Sequence, residues 1–212
     1  MNFRHQVSAL DELSAVSADA LLLVVAAEHP AQGLEPALAS LVRDAVDAGD
    51  LQAKAGRVLY VHRPAGLAAA RLVVATAANG EPKAFKKAVA AGLAQLKGLG
   101  AGQIAVAAAC TLTDAHAEAL VTAAADAVYL YRHTKPSAPA DTAMAKFSLL
   151  CGKTDLKAVK CGLARGKAVA AGVTLARELA NRPGNHCTPS LLAEHARKLC
   201  KEHDLKIEVL DR

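Results

Sequence analysis

Aromatic side chains are scarce: Phe, Tyr and Trp make up 3% of the 212 residues, and Trp is missing altogether. Binding single-stranded nucleic acid by stacking bases on rings is therefore disfavoured. Long apolar runs are also lacking. The longest, Ala20–Ala27, is far too short to span a bilayer. It is no signal-peptide core either, because Asp11, Glu12 and Asp19 stand where such a peptide is positive or neutral. The five cysteines, Cys110, Cys151, Cys161, Cys187 and Cys200, are odd in number, and no two have CxxC spacing. This argues against a disulfide framework and for reduced thiols in a cytosolic protein, most of them packed as small apolar residues. Internal repeats and low-complexity tails are absent.

Apolar residues are plentiful, at 53% with a mean hydropathy of +0.21, and much of that fraction is alanine. A chain of this length and composition can bury a sizeable core, as one large domain or one domain with part of another. The net charge of +5 is unevenly spread. Residues 1–130 hold 10 Lys and Arg against 12 Asp and Glu, and residues 131–212 hold 15 against 8, so the basic excess lies in the second segment. Such an excess attracts phosphate or faces an acidic protein surface.

Hydrophobic patterning predicts alternating strands and helices. A short first strand is expected around Gln6–Leu10, and Ala20–Ala27, apolar on both faces, reads as a central strand. Leu34, Leu38, Leu41, Val42 and Ala45 recur at helical spacing, and Gly49 ends that helix. Strands follow at Arg57–His62 and Arg71–Thr76, separated by a Pro64-Ala-Gly66 break. Further on come a helix from Pro82 to about Leu99, a strand at Gln103–Ala109, a helix from about Ala115 to Tyr131 and a strand at Phe147–Leu150. This order predicts an α/β domain with a mixed, largely parallel sheet and flanking helices. Residues 134–143 form a polar, Pro-containing connection. A long helix is predicted from about Asp155 to about Asn181, with Leu156, Val159, Leu163, Ala170 and Val173 on one side. Gly162, Gly166 and Gly172 weaken it locally and let a neighbour approach closely.

The stretch that organises the chain is Ala176-Arg-Glu-Leu-Ala-Asn-Arg-Pro-Gly-Asn-His-Cys-Thr-Pro-Ser190. It reads as helix, stop, turn, helix. Pro183 disfavours helix at Arg182, Gly184 and Asn185 tolerate positive φ, Thr188 suits an N-cap and Pro189 the first helical position. This run, with the strand-like Lys206–Leu210 after it, resembles the leucyl (cytosol) aminopeptidase family, where such a segment marks the entry to the catalytic domain. Tyr129-Leu-Tyr-Arg-His-Thr-Lys135 is similar to the aromatic-basic end of that family's N-terminal domain. The resemblance implies a macro-domain-like N-terminal domain over 1–152, a linker helix over 153–181 and the start of a partial second α/β domain, catalytic in the family, over 182–212. It further implies a cytoplasmic, homo-oligomeric (hexameric) parent enzyme that removes N-terminal residues from peptides with two divalent metals, zinc or manganese. The family's Asn-Thr-Asp-Ala-Glu-Gly-Arg type signature has no match in these residues, so no catalytic, metal-binding or cofactor-binding residue is carried over. The segment is expected to be non-catalytic, serving assembly and active-site access.

Other constellations have plainer readings. Gly98-Leu-Gly-Ala-Gly102 follows a helix and precedes a strand, the wrong order for a phosphate cradle, and reads as a helix stop. Asp44, Asp47 and Asp50 read as a solvated face. His186, Cys187, His195 and Cys200 lack the spacing of a zinc site, and no orienting group supports a Cys–His dyad. Lys153, Lys157, Lys160 and Lys167 form a stripe that reads as a solvated or inter-domain face, or as a contact to nucleic-acid phosphate. Some bacterial members of the resembled family bind DNA, and macro-like folds hold ADP-ribose. The alternatives to the scaffold reading are thus a nucleic-acid-binding module and a nucleotide or ADP-ribose module.

Overall fold

The computed structural model describes residues 1–135, 137–138 and 143–210. It divides into two compact units, Met1–Tyr129 with Ala140–Ala170, and Leu130–Pro139 with Ala171–Arg212. Part of the polar connection over 134–143 lies outside the described residues.

The first unit is built on a six-stranded sheet. Its strands are β1 (Asn2–Val7), β2 (Ala20–Ala26), β3 (Val58–His62), β4 (Arg71–Ala77), β5 (Gln103–Ala108) and β6 (Lys146–Cys151), in the order β1-β6-β5-β2-β4-β3. All neighbours are parallel except β3 and β4, which form the hairpin permitted by the Pro64–Gly66 break. The helices are α1 (Pro36–Asp47), α2 (Pro82–Leu96), α3 (Asp114–Val128) and α4 (Leu156–Ala180).

β2 explains why its sequence is apolar throughout. Leu22 and Val24 join one core with Phe85, Val89 and Leu93 of α2 and Leu120 of α3. Leu21, Leu23 and Val25 join the other with Leu38 and Val42 of α1. Both faces are covered, so no polar alternation survives. Each of those leucines contributes roughly 1.5–3 kcal/mol by leaving water. Close approach is built in at Gly92 of α2, where a Cβ would stand 2.3 Å from Leu22 Cδ1.

α4 docks on α3 through two of its three glycines. A Cβ on Gly162 would lie 2.0 Å from the Asp114 carbonyl oxygen, and one on Gly166 would lie 2.9 Å from Val121 Cβ. Gly172 meets nothing within 4 Å. Val159 and Leu163 are buried, whereas Val173, expected on the same apolar side, is exposed.

Two expectations are corrected. The first strand is Asn2–Val7, not Gln6–Leu10, because its ladder runs along β6 from Asn2↔Lys146 to Val7↔Cys151 and closes with Ser8 N–H donating to the Cys151 carbonyl. Lys206–Leu210 is not a strand: it is exposed and pairs with no strand among the described residues, and an unpartnered segment has no ladder to hold it extended. The turn read after Arg182 is present, and it is made without a left-handed residue: the Pro183 carbonyl accepts from the N–H groups of His186 and Cys187, at 2.8 and 2.9 Å, with Gly184 and Asn185 at negative φ.

In the second unit that turn leads to α5 (Pro189–Glu202). Thr188 caps it as read, its hydroxyl accepting from Leu191 N–H at 3.3 Å. No residue of α5 is buried, and Leu192 and Leu199 are exposed. His133 and His186 meet edge to face, with ring centroids 5.6 Å apart.

Candidate functional site

In parallel sheets ligands bind beyond the carboxyl ends of the strands. Here a crevice of about 410 Å³ lies there, over the ends of β1, β5 and β6, lined by Leu10, Leu13, Cys110, Leu112, Cys151 and Asp155 among others. Its chemistry is poor for anions. The N–H groups that a phosphate would need at the start of α3 are already engaged: Leu112 N–H donates to Asp155 at 3.2 Å, Thr113 N–H to His116 Nδ1 at 3.2 Å and Ala115 N–H to Asp114 at 2.9 Å. The charged side chain lining the crevice is the Asp155 carboxylate.

The same arrangement holds the thiols inactive. Burial, and then the Asp155 charge, push the Cys110 and Cys151 thiols above their ordinary value, with Lys160 partly opposing at Cys151. Cys110 Sγ stands 4.0 Å from His116 Nε2, but that nitrogen is 2.9 Å from the Gly80 carbonyl and must carry a proton to bond it. It therefore cannot accept one from the thiol, and no nucleophilic pair forms. Of the five thiols only Cys151 is fully buried; Cys110, Cys187 and Cys200 are half-buried and Cys161 is exposed, so burial is less general than composition suggested.

His116, buried in α3, is a residue that the sequence reading passed over. Its signal was present. Thr113-Asp-Ala-His116 is a capping box with His where Glu or Gln is usual, and the structure has both reciprocal bonds. Asp19 and Thr76 were likewise missed as anchors. Asp19 accepts from the N–H groups of Gly102 and Gln103, both at 2.9 Å, while Arg71 Nη2 donates to the Leu99 carbonyl at 3.0 Å. These bonds fix the Gly98–Gly102 turn at the amino end of β5, away from the crevice, with Gly98 and Gly100 at positive φ as a helix stop requires. Thr76, wholly buried, accepts from Arg57 N–H at 3.0 Å and donates to the Lys54 carbonyl.

Lys153 precedes α4, and Lys157, Lys160 and Lys167 lie along it; all four are exposed, and none pairs with a carboxylate among the described residues. Arg165 behaves differently. Its Nη1 donates to Asp114 at 2.9 Å and its Nε to Glu118, tying α4 to α3, and these carboxylates raise the guanidinium further above its ordinary value, Glu118 most. Asp44, Asp47 and Asp50 are exposed. His195 and Cys200 share α5 without a common ligand, and no group of three or more His, Cys, Asp or Glu among the described residues is placed to hold a metal ion. Among the described residues, no helix is long and apolar enough to cross a membrane.

Comparison with known proteins adds the identity of the fold's owner. Residues 14–137 match the model of the cytosol aminopeptidase family, N-terminal domain. A probable cytosol aminopeptidase of Methylibium petroleiphilum is 56% identical over 212 residues, covering 100% of this chain and 44% of the relative. Another from a Polaromonas species is 34% identical, covering 99% of this chain and 41% of the relative. A tomato leucine aminopeptidase mutant of known structure shares the fold, with a TM-score of 0.76 and 21% identity over 96% of this chain and 43% of its own. The chain thus spans somewhat under half the length of these relatives. It belongs to the cytosol aminopeptidase family, whose N-terminal domain is matched by residues 14–137.

Proposed function

We propose that this chain is the non-catalytic front of a cytoplasmic aminopeptidase that removes N-terminal residues from peptides. Residues 1–152 form the N-terminal domain, 153–181 the linker helix and 182–212 the first elements of the catalytic domain. The observation that carries this reading is the 56% identity running the whole length of the chain but over only 44% of the relative. The chemistry agrees. Two-metal hydrolysis needs several carboxylates converging on the ions, together with a group for the developing oxyanion. The described residues offer no such set, so zinc or manganese does not fit here. The ligands belong to the portion of the relatives that this chain does not span. The role left to the segment is to shape a homo-oligomer and limit access to its active sites. With leucine amide and manganese, the 212-residue chain alone should give no turnover; metal-dependent turnover would overturn the reading.

A second reading is favoured by one observation, the exposed lysines of α4, which pair with no carboxylate among the described residues. It predicts duplex affinity that falls steeply with salt and is lost when Lys157, Lys160 and Lys167 are replaced. Undetectable or salt-insensitive binding would remove it. The ADP-ribose reading has the crevice's carboxylate and its engaged N–H groups against it.

A further inference from the structure

A second hollow, of about 490 Å³ and open to solvent, lies between the segment that follows β2 and the last turns of α1. Glu28, Arg43 and Asp47 bring charge to its wall, and Pro30, Ala31 and Val46 bring apolar surface. It differs from the crevice over β1, β5 and β6, where the N–H groups are already engaged. Here the three charged side chains make no ion pair and no side-chain hydrogen bond among the described residues. Arg43 and Asp47 stand four residues apart on α1, so they share one face of the helix. Asp47 is also poorly placed for α1 by itself. It is the last residue of the helix, where the carbonyl dipoles leave a partial negative charge, and the last turn holds no basic residue to offset it. A cation bound there would relieve both negative charges.

We propose that this hollow binds a free α-amino acid with an apolar side chain. The ammonium is taken by the Asp47 and Glu28 carboxylates at the negative end of α1. The carboxylate is taken by the Arg43 guanidinium, whose planar fork matches it. The side chain lies on Pro30, Ala31 and Val46. Charge complementarity selects this class of ligand. A phosphate would meet two carboxylates for one guanidinium, and a simple cation would leave Arg43 unanswered. A wholly apolar molecule would strip water from three charges and return nothing to them. A ligand carrying both signs and an apolar group answers the whole lining. The volume falls within the roughly 300–1,000 Å³ of small-molecule sites. This assignment follows from the lining and does not rest on the peptidase reading.

Titration of the isotope-labelled 212-residue chain with L-leucine in metal-free buffer, followed through its amide NMR shifts, tests the site. The Gln32, Arg43 and Asp47 signals should move together at millimolar leucine or below. Isocaproate, which lacks the ammonium, and L-leucinamide, which lacks the carboxylate, should each bind about tenfold more weakly. Arg43→Gln should weaken leucine by about tenfold and leave it no better than leucinamide. Asp47→Asn should remove the preference for leucine over isocaproate. Both residues are exposed, so the variants keep the fold. Asp47→Asn should even raise the thermal midpoint, because it lifts the clash with the helix end, so its loss of binding is not loss of structure. No shift at these residues up to tens of millimolar leucine, equal binding of the three probes, or variants that bind like the parent would overturn the site. None of these results bears on turnover, so the site and the peptidase reading fail separately.

Discussion

Single residues carry constraints that residue type alone does not announce. His116 is buried with both ring nitrogens engaged, and Ala in its place would leave the Gly80 carbonyl and Thr113 N–H unpaired. The expected loss is about 2–4 kcal/mol, read as a lower urea midpoint. Its role was legible only to a reader willing to accept His as the fourth member of a capping box. Asp155 was harder to see. Placed just before α4, it looks like a helix-start residue, yet its carboxylate serves a distant backbone N–H at Leu112. The thiols give a pH prediction. Their folded values are raised, so they contribute stability that is full below the unfolded thiol's value, about 8.5. That contribution is lost as the pH rises toward the folded values. Stability should therefore fall above about pH 8.5, and less so in a Cys110→Ala, Cys151→Ala double variant. Labelling with iodoacetamide should reach exposed Cys161 well before Cys151.

Among the elements, strands buried on both faces were read to within a residue or so. A run such as Ala20–Ala27 has few other ways to hide its surface. The end strand β1 was misplaced because four of its six residues are exposed and its bounds are set by its partner β6, which patterning along one segment cannot see. The three glycines of α4 make a sharper point. All three look alike in sequence, but only Gly162 and Gly166 lie against α3. Gly162→Ala should destabilise the first unit by several kcal/mol, since its Cβ meets backbone that cannot move aside. Gly172→Ala should stabilise the helix by roughly 0.5–1 kcal/mol. Thermal melts of the two variants should move in opposite directions. If both fell, the docking of α4 would be misassigned.

For the molecule as a whole, the second unit is the informative part. α5 buries none of its residues, and Leu205, Ile207 and Leu210 remain exposed, so this segment holds apolar surface with no cover among the described residues. The helix-turn-helix run at 176–190 marked the family from sequence, whereas the failure of Lys206–Leu210 to form a strand could not be foreseen, because a strand is a property of a pair. On the proposed function, this fold supports hydrolysis without performing it. The most direct measurement joins this chain to the remaining residues of the Methylibium petroleiphilum relative and follows leucine amide hydrolysis with manganese. The fusion should turn over while the 212-residue chain does not; a fusion that folds but stays inactive, or an isolated chain that hydrolyses the amide, would contradict it.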